Sequence, residues 1–238
     1  MLDYLVVGAG LYGATCARLL TDAGLSVKVI ERRDEVGGNC HDAIVDGVRV
    51  SSYGGHIFHT NSERIWNFVV RFAEFIPYVH RVKANHAGRL YSFPPNRETF
   101  KQLGIAHDAP EAEAVIRKAF FEGYTAKQWG RPIEDVPGEV LARIPIRNNA
   151  DDRYFTDTYQ GLPAQGYTAM ITRMLDGVEV RTGVDYLADE EYWNAQAEQV
   201  IYTGALDEYY GYDAGKLEYR SLTFDTMRVD AKQFQCAA

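Results

Sequence analysis

Short apolar runs broken by glycine and polar residues set the pattern of the first fifty positions. Asp3-Tyr4-Leu5-Val6-Val7 runs apolar without alternation, which predicts a parallel strand buried on both faces. Gly8-Ala9-Gly10-Leu11-Tyr12-Gly13 follows as a glycine turn, Ala14 to Ala23 has helical character, and Ser26 to Ile30 is a second apolar strand ending in Glu31. That order predicts a β-α-β unit. Val48-Arg49-Val50 reads as another short strand, Glu111 to Phe121 as one short helix leading into the segment at Gly123, and Tyr154 to Leu162 as part of a twisted sheet. Gly177 to Tyr186 and Val200 to Gly204 are strand-rich again. Pro132, Pro137 and Pro145 mark a loop after Trp129 that is able to move over a site.

The expected fold is α/β: a discontinuous dinucleotide-binding domain of residues 1–75 plus about 170–238, and a substrate-binding helical and sheet region of about 76–169. No internal repeat interrupts it. The apolar runs at Tyr4 to Val7 and Val27 to Ile30 are strand-sized, so no membrane partner is expected. Met1-Leu2-Asp3 leads straight into a strand without a basic leader, which places the protein in the cytoplasm as an expectation.

Charge narrows the chemistry. A formal net charge of −8 argues against a nucleic-acid surface, which needs a basic face. Any phosphate must then be handled by a few local groups. Cys16, Cys40 and Cys236 are odd in number and lack metal-ligand spacing, so neither a disulfide framework nor a zinc site is expected. Sixteen tyrosines suit a site that stacks flat rings, although aromatics more often fill a core.

The glycine turn carries the most specific signal. Gly8 permits the tight turn, Gly10 lets backbone approach a pyrophosphate, and Gly13 lets helix pack on strand. Free N–H groups at the helix start then face the phosphates, and Glu31 is placed to accept the ribose hydroxyls. Alone the G-x-G-x-x-G would be weak; with strand, helix, strand and terminal acid in order, a dinucleotide site is strongly favoured. Glu31-Arg32-Arg33-Asp34-Glu35-Val36-Gly37-Gly38-Asn39 extends it with a basic pair and a second glycine turn. That extension resembles the FAD-binding, glutathione-reductase-like class, and it implies FAD. In Tyr53-Gly54-Gly55-His56-Ile57-Phe58-His59-Thr60, two glycines precede His56 and allow close approach to a flat ligand. A flavin-contacting loop fits there better than a metal site, because no acidic or histidine cluster completes a coordination shell.

The Y-G-G-H-I-F-H-T run at Tyr53 to Thr60 resembles the histidine loop of prokaryotic UDP-galactopyranose mutases. Further matches follow in the family's order: G-Y-T-A-K-Q-W-G at Gly123 to Gly130, R-I-P-I-R at Arg143 to Arg147, Y-F-T-D-T-Y-Q-G-L-P at Tyr154 to Pro163, I-Y-T-G at Ile201 to Gly204 and L-E-Y-R-S-L at Leu217 to Leu222. The resemblance implies an isomerase that interconverts UDP-galactopyranose and UDP-galactofuranose with reduced FAD. In that family the flavin N5 attacks the anomeric carbon, UDP leaves, and the sugar ring opens and recloses on a flavin–sugar adduct with no net electron transfer. The product feeds galactofuranose-containing cell-surface glycans, and family members are commonly dimers or larger.

Carried over by motif, the resemblance implies that His56 meets the flavin with Ile57 beside it, and that Tyr12, Glu31, Arg32, Gly38 and Asn39 contact FAD. It implies Phe120, Phe121, Tyr124, Thr125 and Trp129 as the uridine segment, Arg143 as the cation on the diphosphate, Tyr154 as a phenol reaching the phosphates, and His80 on the sugar or phosphate side. From the residues alone, Phe120 and Phe121 read as core and Arg143 as a solvated cation. Relatives place a longer helical insertion between Pro110 and Gly123 and continue beyond Ala238 with a second arginine for the diphosphate. Two alternatives to a working mutase therefore stand: a truncated FAD- and UDP-binding homologue without turnover, and an FAD oxidoreductase of the amine-oxidase kind.

Overall fold

The computed structural model describes residues 1–136, 138, 144–219, 221–225 and 227–232. Contacts divide the chain into two compact units, Met1–Pro77 with Thr158–Glu218, and Tyr78–Asp157 with Tyr219–Ala238. The first unit opens with β1 (Leu2–Val7), α1 (Leu11–Asp22), β2 (Val27–Ile30), β3 (Asp42–Val45), β4 (Val48–Ser51), β5 (Phe58–Thr60), α2 (Glu63–Val69) and β6 (Phe75–Pro77). The second holds β7 (Val82–His86), β8 (Arg89–Phe93), α3 (Arg97–Leu103), α4 (Ala112–Ile116) and α5 (Gly123–Trp129). The first then resumes with β9 (Tyr159–Pro163), α6 (Tyr167–Met174), β10 (Glu179–Arg181), α7 (Glu190–Asn194), β11 (Ala197–Tyr202) and α8 (Leu206–Tyr209).

Four strands of the first unit form a fully parallel sheet in the order β10-β2-β1-β11. Both faces are covered, which is why β1 reads as a continuous apolar run. Leu5, Val7 and Ile30 pack against Tyr186, Trp193 and Ala197 on one face. Val6 and Val29 face Ala14 and Ala17 of α1 and Met170, Ile171 and Met174 of α6 on the other. Each such side chain taken fully out of water contributes about 1.5–3 kcal/mol before entropy is counted.

The α1 helix begins at Leu11 rather than Ala14, with Gly10 as its N-cap, so the glycine turn passes directly into the first helical turn. β9 lies between β5 and β6 in an antiparallel three-stranded sheet. That pairing draws Tyr159–Pro163 into the first unit and puts the boundary at Thr158, ahead of the expected 170. The expected strand at Val48 pairs with β3 as a hairpin.

In the second unit β7 and β8 form an antiparallel hairpin beside the helices. The helix expected at Glu111 to Phe121 runs on through a π-helical turn, Arg117–Glu122, into α5. Gly123 is itself helical, and the stop comes only at Gly130, whose left-handed φ of 63° caps α5. The segment from Tyr124 to Trp129 therefore lies on the helix. Tyr91, Phe100, Ile116, Phe120, Phe121 and Ile133 form this unit's core. Among the described residues, no helix is long and apolar enough to cross a membrane, and no cluster of acidic, histidine and cysteine groups could hold a metal ion.

Candidate functional site

A cleft of about 400 Å³ opens at the carboxyl ends of β1 and β2 in the first unit, where the sheet order places ligands in open α/β folds. Gly8, Gly10, Tyr12, Gly13, Glu31, Arg32, Gly38 and Asn39 all line it. Tyr202 and Thr203 of the I-Y-T-G run line it too, as do Asp185 and Glu208, which the sequence did not single out.

Local packing explains the three glycines. A methyl on Gly8, whose φ is 107°, would strike the Thr203 hydroxyl, and one on Gly13 would strike the Gly8 carbonyl. Both positions are closed by protein. Gly10 differs: a Cβ there meets only the Gly38 Cα, at 3.7 Å, so the space beyond it belongs to the cleft. The second glycine of the fingerprint is thus kept bare for a ligand, while the first and third are bare for the fold.

Glu31 does more than the fingerprint requires. It is 8% exposed, and its carboxylate accepts the Ala9 N–H at 2.7 Å and the Arg33 N–H at 2.8 Å. One side chain therefore ties the glycine turn to the end of β2. Each carboxylate oxygen has capacity left for a second donor, such as a ribose hydroxyl. Arg32 reaches across the cleft to Glu208 at 2.8 Å, a pair 176 residues apart that no sequence spacing reveals. Arg33 donates to Asn39 at 3.0 Å and stacks over Tyr53 at 4.3 Å. Its Nη1 is buried without a hydrogen-bond partner among the described residues, although Arg33 lines the cleft. A cleft with open helix N–H groups, an orphaned guanidinium nitrogen and a ribose-type acid fits the diphosphate of a dinucleotide.

His56 and Ile57 are not among the residues lining the cleft. His56 is exposed; its Nε2 lies 2.8 Å from the carbonyl of Asn39, which does line it. A carbonyl only accepts, so Nε2 carries the proton. The ring also meets Tyr167 edge-on at 6.3 Å, and burial pushes the Tyr167 phenol well above its ordinary range. Asp42 sits under the same helix start, accepting the Tyr167 N–H at 2.6 Å. Cys16 and Cys40 are free thiols; burial raises the Cys40 pKa. Cys236 lies outside the described residues.

The remaining candidates fall in the second unit. Tyr154 and His80 come together, with the Tyr154 N–H donating to the His80 carbonyl at 2.7 Å and the rings 5.5 Å apart. Phe120 and Phe121 are each 8% exposed and belong to the core, the assignment their chemistry alone gave. Thr125 is buried as well. Tyr124 is 62% exposed, and its hydroxyl accepts from Gln128 at 3.1 Å one turn along α5. Trp129 is partly exposed, with the Arg131 guanidinium 5.8 Å from its ring. Arg143 lies outside the described residues.

A family model described as UDP-galactopyranose mutase matches residues 119–238, and one described as an NAD(P)-binding Rossmann-like domain matches residues 6–72. A probable UDP-galactopyranose mutase of Klebsiella pneumoniae is 38% identical over 266 residues, covering 99% of this chain and 68% of the relative. A dTDP-fucopyranose mutase of Escherichia coli is 36% identical over 269 residues, covering 99% and 71%. A solved structure of reduced UDP-galactopyranose mutase shares the fold with a TM-score of 0.53 at 15% identity, covering 76% of this chain and 48% of that one. The chain thus spans about two thirds of the length of these curated relatives and about half of that structure. The Rossmann match falls on the cleft, Glu31, Arg32, Arg33, Gly37, Gly38 and Asn39 of the extended fingerprint line it, and with the mutase relatives this makes FAD the dinucleotide it takes. With this identity running along almost the whole chain, the protein belongs to the UDP-galactopyranose mutase family.

Proposed function

We propose that the protein is a flavin-dependent isomerase that interconverts UDP-galactopyranose and UDP-galactofuranose. The observation that carries this reading is the cleft kept bare at Gly10 and anchored by Glu31, in a chain of mutase descent. Bound and reduced, FAD supplies a nucleophile without net transfer of electrons. The first unit's task is to hold it. Helix α1 and the Arg33 guanidinium meet the diphosphate, Glu31 takes the ribose, and Tyr12, Arg32, Gly38 and Asn39 complete the walls. His56 and Ile57 belong to the flavin-facing loop, held through the contact of His56 with the Asn39 carbonyl.

The second unit's task is the nucleotide sugar. Exposed Tyr124 and partly exposed Trp129 offer ring faces to the uracil from one helix. Phe120, Phe121 and Thr125 support that helix from beneath. Tyr154 and His80 offer donors to the sugar and diphosphate, and Arg143 offers the planar fork that suits phosphate. A reduced flavin and a charged nucleotide sugar suit a reducing compartment, which supports a cytoplasmic location and the supply of galactofuranose to cell-surface glycans.

The deciding experiment follows the flavin absorbance of purified protein before and after dithionite, then offers UDP-galactofuranose to the reduced form. Conversion to UDP-galactopyranose is expected; a flavoprotein that binds UDP and never turns over would be a binding homologue instead. The Escherichia coli relative favours one second reading, a thymidine diphosphate 6-deoxy sugar as substrate. The same assay with dTDP-fucopyranose separates the two.

Substitutions at three positions test the sugar-binding half. Trp129→Ala and Tyr124→Ala should each weaken UDP binding by about 1–3 kcal/mol, the worth of stacking one base on an aromatic ring, and leave flavin content unchanged. Calorimetric titration with UDP reads this, and equal affinities would return both rings to a packing role. Arg143→Ala and Arg143→Lys should both lower turnover about 100-fold or more at equal flavin, since lysine keeps the charge and loses the bidentate fork. Normal turnover in Arg143→Ala would move the diphosphate elsewhere.

A further inference from the structure

Tyr78, His80, Tyr154 and Phe155 form an aromatic cluster inside the second unit. Backbone pairing assembles it: the Tyr154 N–H reaches the His80 carbonyl, and Arg81 and Arg153 form an antiparallel bridge. The charges around it are already engaged. Arg81 holds Asp152 at 2.9 Å, Arg153 holds Asp151 at 2.7 Å, and Arg147 donates to the carbonyls of Asp151 and Arg153.

The His80 ring is left with a single polar contact among the described residues: its Nδ1 lies 3.2 Å from the Tyr78 hydroxyl. Its ring stands edge-on to Tyr154 and near-parallel to Phe155 at 6.2 Å, and Nε2 has no partner among the described residues. Burial lowers the His80 pKa from its ordinary value, so the ring is neutral at neutral pH and carries one N–H. Which nitrogen bears that proton is set by the hydrogen bond the other makes. A phenol donates readily, and the bare nitrogen of a neutral imidazole accepts.

We propose that Tyr78 is a positioning residue whose hydroxyl donates to His80 Nδ1, holds the ring as its Nε2–H tautomer, and so makes His80 a fixed hydrogen-bond donor toward an oxygen of the nucleotide sugar. A ring held in this way cannot accept a proton at Nε2, and His80 therefore orients the ligand without acting as a base. The identity of the ligand rests on the function proposed above; the tautomer lock does not.

Two measurements test it on the flavin-loaded protein. In the first, the ¹⁵N signals of His80 are read without ligand. A bare Nδ1 and a protonated Nε2 are expected, with the two signals moving toward each other in Tyr78→Phe. A protonated Nδ1 in the parent, or no change in Tyr78→Phe, overturns the proposal. In the second, UDP and UDP-galactose are titrated into Tyr78→Phe, His80→Ala and the double variant. Tyr78→Phe should bind about two- to tenfold more weakly, the worth of one neutral hydrogen bond, and the effect should vanish in the His80→Ala background. An effect that persists there is packing, and it defeats the positioning role. Weakening with both ligands assigns the acceptor to a phosphate oxygen; weakening confined to UDP-galactose assigns it to a sugar hydroxyl. A parent that binds neither ligand sinks the proposed function, while the tautomer measurement still decides the role of Tyr78.

Discussion

Gly10→Val will give a folded protein that no longer retains FAD. The backbone at Gly10 is extended, with φ of −75° and ψ of −179°, a conformation valine adopts without strain. Outside its chain neighbours the nearest protein atom to an added Cβ is 3.7 Å away, an ordinary contact, so the fold has room for the Cβ. The cleft has none to spare, because the branched carbons fill the approach of a diphosphate to the first turn of α1. Losing two charge-assisted hydrogen bonds, each worth about 1.5–3 kcal/mol, weakens binding about 100-fold or more. The measurement is flavin per chain after purification, with thermal unfolding compared against the flavin-free parent, since FAD itself stabilises whatever it binds. Full flavin content in a folded Gly10→Val protein would remove the cleft from the argument. Gly13→Ala is the contrasting control: its methyl strikes the Gly8 carbonyl, and the first unit itself should fail.

Phe120→Ala is expected to cost about 3–5 kcal/mol of stability, a large part of the roughly 5–15 kcal/mol a domain possesses. The Phe120 ring is 8% exposed, packs edge-on against Tyr91 at 5.3 Å, and lies within 6.3 Å of the His86 and Phe93 rings. Removing it opens a cavity under the π-helical turn that leads into α5. Urea denaturation followed by a probe in the second unit reads the loss. Any weakening of UDP binding should then follow the unfolded fraction and disappear at low temperature. Undiminished stability with weaker UDP binding would make Phe120 a ligand platform, contrary to its burial.

The dinucleotide half was legible because its signal is local. β1, the glycine turn, α1, β2 and Glu31 lie within the first 31 residues, and each step is dictated by sterics or by strand burial. Other features escaped for physical reasons. The helix through Gly123 runs on because glycine adopts helical angles when its neighbours pack, and only the left-handed turn at Gly130 ends it. The π-helical turn at Arg117–Glu122 escaped as well, because periodicity does not report it, although the residues alone already read Phe120 and Phe121 as core.

By itself, then, the sequence determined the parallel-sheet unit, its dinucleotide chemistry and the family, because these rest on short-range spacing and on motifs in fixed order. The division of labour among the three glycines was also legible, and the tertiary structure alone supplied the atoms that close two of them, the Thr203 hydroxyl at Gly8 and the Gly8 carbonyl at Gly13. It also decided that Glu31 pins the turn it follows, that Arg32 meets Glu208 across 176 residues, and that Tyr78 reaches His80. Each of these depends on the direction of a side chain. That direction is set by packing between elements distant in the chain, and no local pattern encodes it.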